Sequence, residues 1–129
     1  MKKVALTSIA VALAVTTLMA QVPQSFNYQG VARDNTGAIL ATQSINLQIS
    51  VLSGSSTGTI EYSETHATTT NQFGLFTLQI GNGTVVSGDF TTINWGANTH
   101  YAKVEMDENG GTNYQFMGTS QLLSVPYAL

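Results

Sequence analysis

Apolar and polar residues alternate along much of the chain. In residues 45–51 every odd position is aliphatic and every even position is polar, and residues 76–80 and 101–107 repeat this pattern. Period-two alternation predicts strands that bury one face, and no window after the first twenty residues shows the spacing of an amphipathic helix. Shorter alternating runs occupy residues 26–33, 60–63, 114–116 and 121–125.

The alternation also predicts which face of each strand is buried. Positions of one parity carry the large apolar side chains, and the other parity carries amides, hydroxyls and charges. The predicted inner positions are Phe26, Tyr28, Gly30 and Ala32, then Ile45, Leu47, Ile49 and Val51, then Ile60 and Tyr62, then Phe76, Leu78 and Ile80, and finally Ala102, Val104 and Met106.

Turn-forming residues separate these strands. Residues 34–37 are Asp-Asn-Thr-Gly and residues 71–74 are Asn-Gln-Phe-Gly, combinations in which the Asx side chain bonds the backbone and glycine takes positive φ. Residues 107–111 are Asp-Glu-Asn-Gly-Gly, for which we expect a primed Asn-Gly turn.

Strands and turns together predict a single all-β domain over residues 21–129, an antiparallel β-sandwich of about seven short strands. Residues 85–98 have the weakest pattern, so we predict a long loop there. We expect this loop to pack Phe90, Ile93 and Trp95 over the end of the core. A chain of 129 residues suits one such domain.

The first twenty residues have the layout of a secretory signal peptide. Lys2 and Lys3 precede an apolar stretch, and Ala20 offers a small residue at a cleavage point. The apolar stretch is about 16 residues long, shorter than the ~20 that cross a bilayer. We therefore predict cleavage within a few residues of Ala20, secretion, and no membrane span after cleavage.

Composition removes several function classes. The chain has no cysteine, which excludes disulfides, zinc–thiolate sites, thiol catalysis and lipidation at a cysteine. After the signal peptide, Arg33 and Lys103 are the only basic residues, against seven acidic ones. Such a balance cannot neutralise a run of phosphates, so we expect no nucleic-acid partner.

Several long motifs cover the predicted mature chain almost from end to end. They are Ser-Phe-Asn-Tyr-Gln-Gly-Val-Ala-Arg-Asp at 25–34, Tyr-Ser-Glu-Thr-His at 62–66, Gly-Thr-Val-Val-Ser-Gly at 83–88, Lys-Val-Glu-Met-Asp at 103–107, and residues 71–76 and 117–129. In these motifs the chain resembles an N-terminal β-sandwich module that recurs in secreted and surface proteins of Bacteroidota. The resemblance implies the outer surface of a Gram-negative cell and no catalytic residues. It also implies a following tail-fibre-like, coiled-coil or collagen-like region, so we expect a chain stopping at Leu129 either to stand alone or to be a truncated product.

A looser similarity rests on fewer residues. Asp34 and Gly37, together with Asn71, Gly74 and Phe76, are similar to the turns of transthyretin-like and carboxypeptidase-regulatory domains. This similarity implies only the architecture, an Ig-like or transthyretin-like sandwich.

Aromatic residues offer one candidate binding site. Trp95 lies in a polar stretch with Asn94 and Asn98, and Tyr101 follows shortly after. These four residues could bind a carbohydrate, with sugar rings stacked on an exposed aromatic loop. Tyr28, Tyr62 and Tyr114 could extend the platform. The competing interpretation is that these aromatic side chains pack in the core and at its rim.

Two polar groups are candidates for catalysis or metal binding. Glu64 and His66 share one face of a strand, roughly 6.5–7 Å apart along it, and could act as base and acid or as two metal ligands. A metal site needs a third ligand, and His100 is the only other imidazole. The competing interpretation is a polar strand end.

Asp107, Glu108 and Asn109 could bind Ca²⁺ or form a hairpin tip. No nucleophile-elbow motif and no phosphate-binding loop ahead of a helix are present. We therefore predict a protein that is not an enzyme and uses neither a metal nor a cofactor.

The ends of the domain suggest how it could connect to neighbours. Residues 24–33 and 122–129 begin and end the sandwich, so we expect both to be edge strands, each with a nearby proline, Pro23 or Pro126, that blunts casual pairing. Either could add to another molecule's sheet. We predict a structural or adhesive surface module, a candidate fibre subunit whose partners are copies of itself or other surface proteins. The alternative is a carbohydrate-binding module centred on Trp95, and a hydrolase using Glu64 or His66 is a third interpretation.

Overall fold

The fold is known from a computed structural model, which describes residues 25–123. Seven strands follow one another: β1 (Phe26–Val31), β2 (Ser44–Ser53), β3 (Thr59–Thr69), β4 (Leu75–Ile80), β5 (Thr84–Ser87), β6 (His100–Asp107) and β7 (Gln115–Leu122). A 3₁₀ turn, Phe90–Thr92, lies between β5 and β6, and the described residues contain no α-helix. The all-β prediction is confirmed. The predicted signal peptide, Pro23 and Pro126 lie outside the described residues.

The strands form two antiparallel sheets. β1 pairs with β4, and the other five strands form a sheet in the order β5-β3-β2-β6-β7. Side chains from both sheets meet in one core, which confirms the predicted antiparallel β-sandwich of seven strands. The two sheets are unequal, since two strands face five.

The alternating positions form the core as expected on most strands. The inner residues of β2, β4 and β6 are all buried: Ile45, Leu47, Ile49 and Val51, then Phe76, Leu78 and Ile80, then Ala102, Val104 and Met106. Fully burying one aliphatic side chain of this kind contributes about 1.5–3 kcal/mol relative to leaving it exposed. β2 lies at the centre of its sheet and supplies the largest share of this core.

One end of the sandwich carries three turns of the same design, and we call it the turn end. Each turn begins with Asp34, Asn71 or Asp107, and the residue three positions later is a glycine with positive φ. The glycine amide donates to the first residue's carbonyl at 3.0–3.2 Å. The side-chain oxygen of the first residue accepts the amide two residues further on at 2.8–2.9 Å.

The third of these turns corrects an expectation. An Asn-Gly primed turn needs positive φ at both of its central residues, Asn109 and Gly110, and Asn109 does not have it. Gly110, the last residue of the turn, has φ 73° instead. The Asp107 side chain explains this choice, because it holds the turn from its first position.

The opposite end of the sandwich is filled with aromatic side chains, and we call it the aromatic end. Phe90, Ile93 and Trp95 are buried there, which confirms the packing predicted for this part of the chain. The Phe90 ring lies 5.6 Å from Trp95 and 5.3 Å from Tyr62, centroid to centroid. Edge-to-face contacts of this kind favour aromatic pairs beyond the area that they bury.

Three predictions about strands need correction. Residues 85–98 are not all loop, because Thr84–Ser87 forms β5 at the edge of the large sheet. The two strands expected around 114–116 and 121–125 are one bulged strand, β7. Ile60 is 50% exposed, because the pairing of β2 with β3 shifts register there and turns Ile60 away from the core.

Candidate functional site

The residues predicted to bind a ligand around Trp95 do not form a shared surface. Trp95 is only 8% exposed and packs between Phe26, at 6.0 Å, and His100, at 5.0 Å. The expectation of an exposed Trp95 is therefore wrong, because the indole completes the aromatic end of the core. Asn94 and Asn98 are exposed, and Tyr101 is half-buried.

The wider aromatic platform does not form around Trp95 either. Tyr62 is fully buried against Phe90, and Tyr28 packs 6.3 Å from Phe76 inside the sandwich. Carbohydrate binding by the protein stays a prediction, but a stacking surface there cannot use the buried faces of Trp95 and Tyr62.

Glu64 and His66 do lie on the same face of β3, and they contact each other directly. Glu64 is fully buried, with one carboxylate oxygen accepting the Gly81 amide at 2.5 Å and the other accepting the Gly83 amide at 2.8 Å. The second oxygen also contacts the His66 ring. The carboxylate thus ties the loop after β4 to β3 and joins the two sheets.

The protonation of this cluster follows from its contacts. Burial acts to raise the pKa of Glu64, but hydrogen bonds from His66 and the Gly81 amide outweigh it, and the pKa is lowered from its ordinary value. Burial, with the Glu64 carboxylate second, raises the pKa of Tyr62 well above its ordinary range. The Tyr62 hydroxyl makes no hydrogen bond of ordinary geometry. The Glu64 carboxylate thus keeps its negative charge inside the protein, held by hydrogen bonds from His66, Gly81 and Gly83.

His100 does not join Glu64 and His66. Its Nε2 lies 3.2 Å from Glu61 Oε2, and its ring packs against Trp95 at the aromatic end. Within residues 25–123 no three His, Asp or Glu side chains are arranged to hold a metal ion. The third ligand that a Glu64–His66 site would need is therefore not supplied by the described part of the chain.

Of the three predicted calcium ligands, Asp107 has both of its side-chain oxygens occupied by the protein's own backbone. Asp107 Oδ1 accepts the Asn109 amide at 2.9 Å, and Oδ2 accepts the Asn113 amide at 3.0 Å. These hydrogen bonds lower the pKa of Asp107. The arrangement is that of a hairpin tip, the second of the two interpretations.

β1 leaves one of its two edges unpaired among the described residues. Ala32 donates its amide to the Gly74 carbonyl, on the β4 side. Because successive amides in a strand point in opposite directions, those of Asn27, Gln29 and Val31 point away from β4. No strand within residues 25–123 pairs with them, and we call this side of β1 the open edge.

An apolar cleft lies beneath the open edge. Its volume is about 240 Å³, and β1 forms one wall and β7 the other, with the floor formed by Leu47, Val104 and Met106. On the β7 side, a Cβ placed on Gly118 would meet nothing within 4 Å. The inner face of β7 is thus only partly covered by the two-stranded sheet, whereas Leu47, Val104 and Met106 on the floor are buried. The alternation in the sequence marks these floor residues as inner, but it does not show how far the small sheet extends over β7.

A comparison with known families adds one finding. The family model of a domain of unknown function, DUF8740, matches residues 27–120. The chain belongs to the DUF8740 family. The match includes both walls of the cleft and all three turns of the turn end, so these features lie inside the DUF8740 domain itself.

The other comparisons return no relative of known role. No curated protein and no solved structure matches this DUF8740 chain. Residues 25–123 contain no helix of the length and apolar character needed to cross a membrane. The function must therefore be argued from the geometry of the domain.

Proposed function

We propose that this DUF8740 protein is a secreted, non-enzymatic structural module at the outer surface of a Gram-negative cell, and that it joins neighbouring molecules by strand addition at the open edge of β1. The observation that carries the proposal is this edge lying over an apolar cleft. An added strand would pair with the amides and carbonyls of Asn27, Gln29 and Val31. It would also cover the apolar rim of the cleft, where Val31 is 41% and Met117 is 39% exposed.

The occupant of the cleft is an extended segment of a second copy of the chain. Leu123, at the end of β7, is 83% exposed, and apolar residues continue at Val125, Tyr127 and Leu129. This period-two pattern suits a strand that buries one face in a partner's cleft. Only 9% of the residues are charged, so repulsion between copies is weak.

Two further observations support the secreted and non-enzymatic parts of the proposal. The first twenty residues have the layout of a signal peptide, and the chain resembles surface modules of Bacteroidota. Both oxygens of Glu64, the most buried carboxylate, accept backbone amides, so this group stabilises the fold instead of facing a substrate.

The first test is the mass of the exported protein. The chain is expressed from Met1 so that the host's export machinery processes it, and the product is analysed by mass spectrometry, light scattering after size exclusion, and negative-stain microscopy. We expect cleavage near Ala20 and a concentration-dependent oligomer or filament. Uncut protein would contradict secretion, and a monomer at every concentration would contradict assembly.

The second test addresses the open edge with a matched pair of variants. Gln29→Pro removes an edge amide, and Gln29→Ala removes the same side chain but keeps that amide. We expect Gln29→Pro to weaken association by about tenfold or more, since one lost hydrogen bond and the proline ring together cost at least ~1.4 kcal/mol. Gln29→Ala should associate like the parent protein. Equal association by both folded variants would show that the open edge is not the interface.

A further inference from the structure

A second concave surface lies at the turn end, apart from the open edge. It is a groove of about 610 Å³ between the turn that begins at Asp34 and the loop that connects β6 to β7. This volume lies within the range of small-molecule sites, about 300–1,000 Å³. We call it the turn-end groove.

One wall of the turn-end groove is apolar. Phe116, at the start of β7, is 63% exposed, although an aromatic side chain of this size normally finds a place in the core. Met117 beside it is also exposed. Both side chains line the groove and make this wall apolar.

The rest of the lining is rich in amide side chains. Asn35, Asn109, Asn113 and Gln115 all border the groove, and all four are exposed. A carboxamide has two donors and an acceptor with two lone pairs, so it can answer a hydroxyl group as donor or as acceptor. An aromatic face beside several amides suits a sugar ring, whose C–H face is apolar and whose rim carries hydroxyls.

Charge narrows the class of sugar. Arg33 is the single basic residue of the lining, against the acidic Asp34, Asp107 and Glu108. One guanidinium nitrogen of Arg33 already donates to the Gly37 carbonyl at 3.0 Å. This balance disfavours phosphate, sulfate and uronic-acid groups. The groove fits a neutral carbohydrate better than an anionic one.

The walls of the groove are held in place before any ligand arrives. Asp34 Oδ1 accepts the amides of Thr36 and Ala38 at 2.8 and 3.0 Å, and Asp107 holds the opposite loop in the same way. A preformed site avoids the entropy cost of ordering loops on binding. The two carboxylates stabilise the shape, and Gln115 Nε2 donates to Asn113 Oδ1 at 3.2 Å, so these two amides reach the ligand as a pre-aligned pair.

We propose that the turn-end groove binds a neutral oligosaccharide, with Phe116 as the stacking platform and Asn35, Asn113 and Gln115 as hydrogen-bonding partners. The groove shares Met106 and Met117 with the cleft beneath β1, but its stacking and hydrogen-bonding residues are not those of the open edge. Binding of a sugar and assembly through β1 can therefore each fail while the other holds.

The test uses immobilised neutral oligosaccharides of glucose, galactose, mannose and N-acetylglucosamine, with uronic-acid and sulfated glycans as the anionic arm. The exported chain is compared with Phe116→Ala and with Phe73→Ala. Phe73 is a matched control, since it is 59% exposed and lies in the Asn71 turn outside the groove. We expect binding in the neutral arm and a loss of about tenfold on Phe116→Ala, because one aromatic stacking contact is worth up to ~1.5 kcal/mol. Phe73→Ala should bind like the parent.

Side-chain amide resonances locate the ligand independently. On titration with the best neutral oligosaccharide, we expect NMR shift changes at Asn35, Asn113 and Gln115. Changes confined to Asn94 and Asn98 would overturn the groove and restore the loop around Trp95 as the site. No binding in the neutral arm, preference for the anionic arm, or equal binding by the Phe116 and Phe73 variants would also overturn the proposal.

Discussion

The two sides of this sandwich are built differently. On the side of β3 and β4, the buried Glu64 carboxylate takes the amides of Gly81 and Gly83 and ties the sheets together. On the side of β1 and β7, the described residues place no such tie across the cleft, and Gly118 faces open space. A two-stranded sheet cannot cover a five-stranded one, so the polar tie fixes the small sheet over one side and leaves the other accessible.

The difference between the two sides shows how one buried polar group can influence which side of a β-sandwich stays uncovered. A buried carboxylate is costly unless donors surround it, and here two backbone amides and His66 do so. The loop after β4 can then lie only where those donors reach Glu64. The Glu64 side chain thus adds a polar constraint to the apolar packing that positions the small sheet and its open edge.

The largest effect is expected from removing that side chain. Glu64→Ala leaves the amides of Gly81 and Gly83 without their acceptor, and we expect a loss of about 3–5 kcal/mol in the free energy of unfolding, measured by urea titration. Glu105→Ala is the control, since Glu105 forms only a surface pair with Lys103, at 3.8 Å, worth at most ~1 kcal/mol. Equal losses from the two variants would remove the distinction between the sides.

Two glycines allow a smaller and sharper comparison. A Cβ on Gly83 would collide with the Glu64 carboxylate and the His66 ring, whereas a Cβ on Gly118 would meet nothing. We expect Gly83→Ala to lower the free energy of unfolding by about 1–3 kcal/mol, the usual cost of overpacking. Gly118→Ala should be neutral or stabilise by up to ~1 kcal/mol, because alanine orders a strand at a smaller entropy cost than glycine. Urea titrations of the two variants side by side check both values, and a destabilised Gly118→Ala would mean that the β7 wall is covered.

The sequence predicts the buried faces of the central strands well, but it predicts the edge strands and the bulges poorly. Alternation in β2, β4 and β6 identifies the buried face residue by residue, because each strand has one buried face and one wet face. β5 escapes detection, since Val85 and Val86 are both exposed at a sheet edge and no alternation marks them. The bulges in β3 and β7 shift the parity, which misplaces Ile60 and splits β7 in two. The predicted total of seven strands is right only because two errors cancel.

The candidate sites show the same limit. Glu64 and His66 are correctly placed on one face, but local spacing does not tell that Gly81 and Gly83, far along the chain, supply the donors. Trp95 lies in a polar stretch of sequence, yet its ring fills the aromatic end. Conversely, Phe116 reads in the sequence as an ordinary apolar position of an alternating strand. The bulge in β7 and its place at the turn end put it in the groove instead. Long-range pairing decides which side chains meet, and a single sequence does not encode that in its local pattern.

The smallest expected effect is a pH dependence of stability. It tests the Glu64 carboxylate, which ties the sheets on the side of β3 and β4, without removing that side chain. The pKa of Glu64 is lower in the fold than its ordinary value of 4.5, because hydrogen bonds from His66 and the Gly81 amide outweigh the effect of burial. A carboxyl of lowered pKa stabilises the fold above its ordinary pKa, and that contribution is lost as the pH falls through the folded value. Hydrogen bonds within their turns also lower the pKa values of Asp34, Asp89 and Asp107 from the ordinary value of 3.8, so these groups affect stability in the same direction. Stability measured by urea titration should therefore fall as the pH drops below about 5.

Glu64→Gln separates the tie from the turns in this experiment. A carboxamide oxygen can still accept a glycine amide, but it carries no charge to titrate. We expect the variant to lose stability at pH 7 and to show a shallower decline between pH 5 and pH 3 than the parent, because three of the four carboxyls with a lowered pKa remain. Glu105→Gln should keep the parent's slope. If the stability of Glu64→Gln declined with pH as steeply as that of the parent, the charge of Glu64 would not stabilise the side of β3 and β4. The position of the small sheet would then rest on apolar packing alone.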